Sequence, residues 1–252
     1  MACLLVGWGG SEESRTVRVR AAGVKRPRSP TFECDRRIDD VDRMQELEDL
    51  VLHADEAFVV ARKPAGWLAV PGRGEDKADC LFARLSQRWP DLRVVHRLDM
   101  ATSGLMLFAQ GLAVQRQLSR AFEQREVAKR YVAVVCGLVA EESGRIELPL
   151  AADWPNRPRQ RVDTAHGRPA LTLWQRLAVD AQAGTTRLAL APVTGRTHQL
   201  RVHLAAAGHT IVGDTLYASP KDAPRLLLHA ERLEFRHPLS GAPVGFTDPP
   251  PF

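Results

Sequence analysis

The sequence lacks the residue patterns of several large protein classes. No two of its four cysteines form a Cys-x-x-Cys pair, which argues against a zinc ribbon or a dense disulfide framework; they are Cys3, Cys34, Cys80 and Cys136. Isolated thiols fit a reducing compartment, and we expect a cytoplasmic protein. No apolar run approaches a membrane span, and no basic region precedes the short apolar start, so neither a membrane protein nor a secretory signal is expected.

Motifs for common cofactors and nucleophiles are missing too. The chain has no Gly-x-Gly-x-x-Gly, no phosphate-loop lysine motif and no Gly-x-Ser-x-Gly elbow. Among eight histidines, His198 and His203 form the most tempting metal pair. Five residues of helix, however, place two side chains about 140° apart. We therefore expect no metal site.

The charge balance is mildly basic. Lys and Arg total 35 against 30 acidic residues, which gives a net charge of +5. This excess is compatible with RNA binding, but many soluble proteins share it. No apolar stripe stands out as an exposed contact surface, so a monomer is expected.

Residues 1–48 differ in composition from the rest of the chain. A basic stretch without acids is followed by an acid-rich stretch, and apolar periodicity is weak in both. This pattern predicts a flexible charged arm. We interpret it as a solvated tail, or the product of a start codon placed too early, in preference to an arm that contacts RNA.

Residues 49–252 have the pattern of one globular domain. Apolar runs predict strands over 57–61, 104–109, 131–136, 171–179, 186–192, 225–229 and 232–236. Helical spacing predicts one amphipathic helix through Val114, Leu118 and Phe122, and another through Leu200, Leu204 and Ala207 with a cap at Gly208. A regular strand–helix–strand alternation is missing. We therefore predict an α+β domain with a mixed, largely antiparallel sheet and flanking helices.

Two polar segments between the apolar runs could carry chemistry. The first runs from His96 to Gly104 and combines potential cations, hydroxyls and the carboxylate of Asp99. An aspartate in such a turn is commonly a cap, so spacing alone does not make it catalytic. In the second segment Arg196 follows a glycine turn at a predicted helix start, where the helix dipole favours anions. An anionic partner, Asp99 or a phosphate, would resolve that conflict; otherwise Arg196 is a surface residue.

Together these segments resemble the RluA family of pseudouridine synthases. The matching motifs occur in the family's order and are Lys63-Pro-Ala-Gly66, His96-Arg-Leu-Asp-x-x-Thr-Ser-Gly104, Lys129-Arg-Tyr131, Gly195-Arg-Thr-His-Gln-Leu-Arg201, Gly213-Asp-x-x-Tyr217 and Leu227-Leu-His-Ala230. The resemblance spans residues 50–248 and implies the pseudouridine synthase catalytic fold without the optional S4 RNA-binding domain. Asp153-Trp-Pro-Asn-Arg-Pro-Arg-Gln-Arg161 and Tyr217-Ala-Ser-Pro220 are similar to the dual-specificity branch. That branch modifies uridine 32 of tRNA anticodon loops and uridine 746 of 23S rRNA.

The resemblance implies an isomerisation that needs no cofactor. The N1–C1′ bond of a flipped-out uridine breaks, and the uracil turns and is rejoined through C5. Asp99 is then the nucleophile, attacking C1′ or C6, or it deprotonates C2′ to give a glycal. A carboxylate in a dry cleft needs a fixed cation, and the resemblance assigns this role to Arg196. Tyr131 is expected to stack on the uracil and to help remove the C5 proton.

Other residues are expected to bind the RNA substrate. Arg97 is a candidate to enter the RNA stack and fill the space that the uridine leaves. Phosphate contacts are expected from Arg157, Arg159 and Arg161, with a solvated loop as the alternative. The predicted substrate-binding set also includes His96, Lys63 and Leu200. The alternatives are a related synthase that acts on another uridine, a non-catalytic RNA-binding protein of this fold and a metal-dependent hydrolase.

Overall fold

The computed structural model of the protein describes residues 47–74, 77–217 and 219–252. The charged arm predicted over 1–48 lies outside these residues except for its last two, and its boundary with the catalytic domain stays a prediction. Among the described residues, every helix is too short or too polar to span a bilayer.

Short strands make up most of the regular structure. The strands are β1 (Val51–Ala54), β2 (Phe58–Lys63), β3 (Leu92–Val94), β4 (Ser103–Gln110), β5 (Ala128–Cys136), β6 (Ser143–Glu147), β7 (Leu150–Ala152), β8 (Gln160–Val162), β9 (Leu171–Asp180), β10 (Thr185–Pro192), β11 (Leu228–Arg236) and β12 (Pro243–Thr247). Helices wholly within the described residues are α1 (Leu81–Ser86), α2 (Gly111–Glu123) and α3 (Gln199–Ala206). A 3₁₀ turn covers Trp154–Asn156.

In the described part of the chain, ten of these strands form one sheet. Its order is β1-β2-β4-β11-β5-β10-β9-β6, with β12 added against β11 and β3 against β4, while β7 and β8 form a separate hairpin. The pair β4–β11 is parallel, and the other named pairs are antiparallel. The predicted α+β class with a mixed, largely antiparallel sheet is therefore confirmed.

Strand β4 shows why an unbroken apolar run folds at the centre of this sheet. Successive side chains of a strand point to opposite faces. Leu105 and Leu107 pack in one core cluster with Val114 and Leu118 of α2. Met106 belongs to a second cluster on the other face. Both faces are buried, so an alternating polar pattern cannot occur here.

The strand predicted over 232–236 and the last two residues of the one predicted over 225–229 form one element, and residues 225–227 lie before it. This element is β11, whose register shifts between Ala230 and Arg232 where it pairs with β5. The predicted cap of α3 is confirmed, since Gly208 follows Ala207 with a φ of 85°. Strand β11 lies near the loop that carries Asp99 because His229 pairs with Ser103 of β4.

Gly104 allows β4 and β11 to approach closely. Its φ is 110°, and a Cβ at this position would lie 2.6 Å from the Ala230 nitrogen and still closer to the carbonyl oxygen. We expect Gly104→Ala to lower the free energy of unfolding by about 3 kcal/mol in urea denaturation. The matched control is Gly111→Ala, with a φ of 77° and open space around the Cβ. It should lose only about 1 kcal/mol, and equal losses would contradict the steric explanation.

Candidate active site

Asp99 lies in the turn between β3 and β4, on the wall of a cleft. The Thr102 amide donates to its carbonyl oxygen at 3.1 Å, and the Gly66 amide donates to the neighbouring Met100 carbonyl at 2.8 Å. The side chain of Asp99 is 20% exposed. The backbone of this turn is thus held from both sides, while the carboxylate can still be reached from the cleft.

The guanidinium facing Asp99 belongs to Arg201. Its Nη1 lies 3.7 Å from Oδ2 of Asp99, while Nε and Nη2 donate to both carboxylate oxygens of Asp214 at 2.8 and 2.7 Å. Both Arg201 and Asp214 are buried. Burial opposes the charged form, but the hydrogen bond and charge of Asp214 and the charge of Asp99 raise the pKa of Arg201 above its usual value. Asp214 therefore orients a permanently charged fork towards the candidate nucleophile.

The predicted pairing of Asp99 with Arg196 needs correction. The Arg196 Nε donates to the Pro169 carbonyl at 3.1 Å, and its amide donates to Oε1 of Gln199 at 3.0 Å. Helix α3 begins only at Gln199, so Arg196 precedes it, and Arg201 in the first helical turn reaches Asp99 instead. Arg196 still lines the cleft.

His198 links Asp99 to Tyr217. Its Nε2 lies 3.8 Å from Oδ1 of Asp99, and its Nδ1 lies 2.8 Å from the Tyr217 hydroxyl. That hydroxyl accepts a hydrogen bond from the Gln160 amide at 2.9 Å, which leaves its own proton free for Nδ1. Burial lowers the pKa of His198, although the charge of Asp99 opposes this shift. The contacts favour a neutral ring with its proton on Nε2, facing Asp99.

The backbone conformation of His198 is consistent with a role in holding its ring between Asp99 and Tyr217. Its φ is 54°, in the left-handed region that side chains other than glycine adopt at a cost of about 1–3 kcal/mol. The sequence motifs included His198, Asp214 and Tyr217 but assigned them no role. One motif contains both Arg196 and Arg201, and either could have paired with the carboxylate in the predicted cleft. This was the signal in the sequence that could have identified Arg201 as a candidate partner of Asp99.

Tyr131 is placed by β5 beside the same cleft. Its strand pairs with β10 at Leu190 and with β11 at Ala230, and its ring lines the cleft next to Asp99. Burial raises the pKa of the Tyr131 hydroxyl, and the charge of Asp99 raises it further. The phenol therefore keeps its proton at neutral pH. Tyr131 can offer its ring and a hydrogen-bond donor to a ligand. Its hydroxyl can accept a proton only if it gives up the proton it already carries.

Lys63, predicted to contact RNA, is buried. Its Nζ donates to the carbonyls of Pro64, Trp67 and Met100 at 2.7, 2.8 and 3.0 Å. Burial lowers its pKa to about 7, the charge of Asp99 opposes that shift and the charge of Arg225 adds to it. All three N–H bonds of the ammonium are used inside the protein. The RNA contact is therefore corrected to a structural one that ties the 64–67 turn to the Asp99 turn.

His96, which was predicted to bind the RNA substrate, makes its contacts within the protein. Its Nε2 accepts a hydrogen bond from the Leu107 amide at 2.9 Å, and its ring stacks on Phe122 at 4.7 Å. Burial, with a smaller effect of the Lys129 charge, lowers its pKa to about 3. His96 is therefore neutral and orients the backbone before Asp99, although it also lines a depression beside the cleft.

The remaining predicted RNA-binding residues lie around the cleft or on the β7–β8 hairpin. Arg97 is exposed and lines the cleft, and Leu200 forms part of its apolar wall. The three hairpin arginines are exposed: the guanidinium of Arg157 lies over Trp154, that of Arg159 lies 5.5 Å from the Tyr217 ring centroid, and that of Arg161 pairs with Asp163 at 3.0 Å. Their contacts with RNA stay predictions.

The two histidines considered as a metal pair face different surroundings. His203 is buried, with Nδ1 2.9 Å from Oγ1 of Thr172 and Nε2 3.0 Å from the Leu148 carbonyl. His198 instead faces Asp99 and Tyr217. Within residues 47–74, 77–217 and 219–252, no three His, Cys, Asp or Glu side chains are grouped as metal ligands.

Replacing Lys63 tests its structural role. We expect Lys63→Met to lower the free energy of unfolding by about 3 kcal/mol, because three carbonyls lose their donor. Chemical denaturation measures this loss. The exposed Lys77 offers a matched control, and Lys77→Met should stay within about 0.5 kcal/mol of wild type. Similar stabilities for the two variants would contradict the structural assignment.

Comparisons with known proteins agree with this fold. The model of the RNA pseudouridylate synthase family matches residues 57–206. The dual-specificity RNA pseudouridine synthase RluA of Pasteurella multocida is 46% identical over 205 residues, which cover 80% of this chain and 93% of that protein. RluA of Escherichia coli K12 is 46% identical over 206 residues, covering 81% and 94%. The structure of human RNA pseudouridylate synthase domain containing 1 superposes with a TM-score of 0.68 at 29% identity, covering 80% of this chain and 83% of the human chain.

Fold and site together define an RNA-modifying isomerase, a pseudouridine synthase. The chain belongs to the RluA family of these enzymes.

Proposed function

We propose that this synthase has two RNA targets, uridine 32 of tRNA anticodon loops and uridine 746 of 23S rRNA. The observation that carries this proposal is 46% identity to relatives named as dual-specificity enzymes, over 93% of the length of the first. The loop motif Asp153–Arg161, which is similar to that of the dual-specificity branch, gives additional support. The enzyme acts in this proposal as a cytoplasmic monomer through its catalytic domain, residues 49–252.

Asp99 is the proposed nucleophile or base. Attack on C1′, attack on C6 and removal of the C2′ proton all require an ionised carboxylate. Arg201 supplies the compensating positive charge at 3.7 Å, and Asp214 holds it in place. The N–H of His198 faces the other oxygen of Asp99, at 3.8 Å. A guanidinium and an N–H group thus face the two carboxylate oxygens, and both stabilise the negative charge that each of these steps requires.

The base is proposed to turn between Tyr131 and the wall that includes Leu200. The N1–C1′ bond breaks, the C5–C1′ bond forms, and the proton lost from C5 is balanced by one gained at N1. Tyr131 offers its ring for stacking and its hydroxyl as a relay for the C5 proton. Leu200 provides an apolar surface that keeps water from C1′ while the glycosidic bond is open.

Arg97 is proposed to occupy the space that the flipped uridine leaves in the RNA. It precedes Asp99 by two residues, is exposed and lines both the cleft and the adjoining depression. A planar guanidinium can stack between bases and bind phosphate with the same group. The unpaired bases of a loop cost less to extrude than paired ones, which fits loop uridines as targets.

Pseudouridine mapping tests the proposed targets. Total RNA from cells without this gene should lack pseudouridine at tRNA position 32 and at position 746 of 23S rRNA. Expression of the wild-type chain should restore both modifications, and expression of Asp99→Asn should restore neither. Loss at another uridine would replace the proposed targets, and an unchanged modification pattern would contradict the proposal.

A further inference from the structure

Trp154 lies on the β7–β8 hairpin with one face of its indole ring available to solvent. It is the most exposed of the large hydrophobic residues in the described part of the chain, at 69%. The guanidinium of Arg157 lies over its ring, 3.3 Å from the centroid. A cation stacked on one face leaves the opposite face as a flat apolar surface. Trp154 does not line the Asp99 cleft.

The turn that carries Trp154 is held by a set of short hydrogen bonds. The Asn156 amide donates to the Asp153 carbonyl, the Asp153 amide to the Arg159 carbonyl and the Arg159 amide to the Asn156 carbonyl, each at 3.0 Å. The side-chain amide of Asn156 also donates to Oδ2 of Asp153 at 3.0 Å. The ring is thus displayed on a closed turn, which reduces the entropy lost when a ligand binds to it.

The hairpin is tied to the catalytic cleft beside this turn, where Gln160 pairs with Ala152. The Gln160 amide donates to the Tyr217 hydroxyl at 2.9 Å, and this hydroxyl bonds His198, whose ring faces Asp99. These contacts hold the exposed ring in a fixed relation to the cleft. A ligand on Trp154 would therefore be positioned relative to the substrate uridine.

The surroundings of the ring indicate its ligand. Arg157, Arg159 and Arg161 are exposed along the same hairpin and favour a polyanion. A phosphate gains nothing from a bare ring face, whereas an unpaired base can stack on it and bind about tenfold more tightly for doing so. We propose that Trp154, backed by Arg157, is a stacking platform for an unpaired nucleobase of the RNA substrate, distinct from the uridine that enters the cleft. This inference rests on the proposed RNA substrates.

The test uses the whole protein and an anticodon stem-loop RNA with tritium at C5 of its uridines. Trp154→Ala should raise KM about tenfold with kcat nearly unchanged, and Trp154→Phe should keep most of the affinity. Leu239→Ala, which removes another exposed apolar side chain, is the matched control and should behave as wild type. Wild-type KM in Trp154→Ala would overturn the platform, provided that circular dichroism shows both Trp154 variants folded.

Two further measurements separate base stacking from other contacts. A plot of the logarithm of the binding constant against the logarithm of the salt concentration should have the same slope for Trp154→Ala as for wild type, because no phosphate contact is lost. A slope reduced by about one would indicate a phosphate contact instead and would overturn the proposal. Stem-loops made abasic at one unpaired position at a time should include one on which Trp154→Ala and wild type bind equally. A penalty that persists on every abasic RNA would also overturn it, and would indicate a contact with the RNA backbone.

Failure of the platform and failure of the proposed targets give different results. If wild type releases no tritium from the stem-loop, the proposed tRNA target is wrong. The Trp154 comparison is then made on the RNA that pseudouridine mapping identifies. If wild type is active and Trp154→Ala has the same KM, only the platform is wrong.

Discussion

Asp99→Asn is expected to release no measurable tritium from C5-labelled uridine RNA, a loss of more than about 10³-fold. Asparagine has the same shape as aspartate but no ionised oxygen to attack C1′ or C6 or to take the C2′ proton. The contacts of Asp99 with Arg201 and His198 are long, at 3.7 and 3.8 Å, so the substitution breaks no close hydrogen bond. The variant should therefore fold and bind RNA as wild type does.

Single-turnover tritium release and a separate binding assay measure the two expectations. Slow deamidation of the introduced asparagine would regenerate aspartate and imitate residual activity, and Asp99→Ala controls for this. Release at the wild-type rate by folded Asp99→Ala would remove Asp99 from the chemistry. Loss of RNA affinity in both variants, with turnover preserved, would assign Asp99 to binding instead.

Local patterns allowed much of the fold to be predicted. The apolar run of β4 and the helical spacing of Val114 and Leu118 in α2 are properties of short segments, and both elements were expected where they occur. The edge strands β1, β3, β6 and β12 were not expected. These strands are short, so they carry little local pattern. They are strands because they pair with neighbours in the folded sheet, and the sequence does not show which neighbours those are.

The cation that faces Asp99 could not be identified from the sequence in the same way. One motif offers Arg196 and Arg201, and the residue at which α3 begins determines which of them faces Asp99. The left-handed backbone at His198 delays the start of the helix to Gln199. Arg201 is further oriented by Asp214, which lies thirteen residues away in sequence. That contact is formed only when the chain after α3 returns to the cleft.

Burial accounts for the other correction. A lysine next to a proline–glycine turn and near a catalytic motif was reasonably expected to bind RNA. Lys63 is instead only 1% exposed, because β2 ends under the Asp99 turn and three carbonyls converge on its Nζ. Convergence of backbone carbonyls from two loops leaves no pattern in the sequence. The exposure of Trp154 could not be predicted from the sequence either, because tryptophan side chains are more often buried.

The second large effect is expected at Arg201. Arg201→Lys keeps a positive charge but cannot bind Asp214 through two parallel N–H bonds and still face Asp99. We expect kcat to fall about 10²-fold, with a smaller change in RNA affinity. Arg196→Ala should lower kcat less than tenfold, because its guanidinium contacts the Pro169 carbonyl and not Asp99. A larger loss of kcat in Arg196→Ala than in Arg201→Lys would restore the original assignment of the cation to Arg196.

Stability must be separated from catalysis at Arg201, because its partner is buried. Arg201→Met should lower the free energy of unfolding by about 3–5 kcal/mol, since Asp214 is left as an uncompensated buried charge. Adding Asp214→Asn removes that charge and still provides an acceptor for the Leu216 and Tyr217 amides, so it should recover part of the stability. Turnover should not recover, because Asp99 still lacks its cation. Recovery of both stability and turnover in the double variant would show that Arg201 is structural and that the reaction at Asp99 does not need its charge.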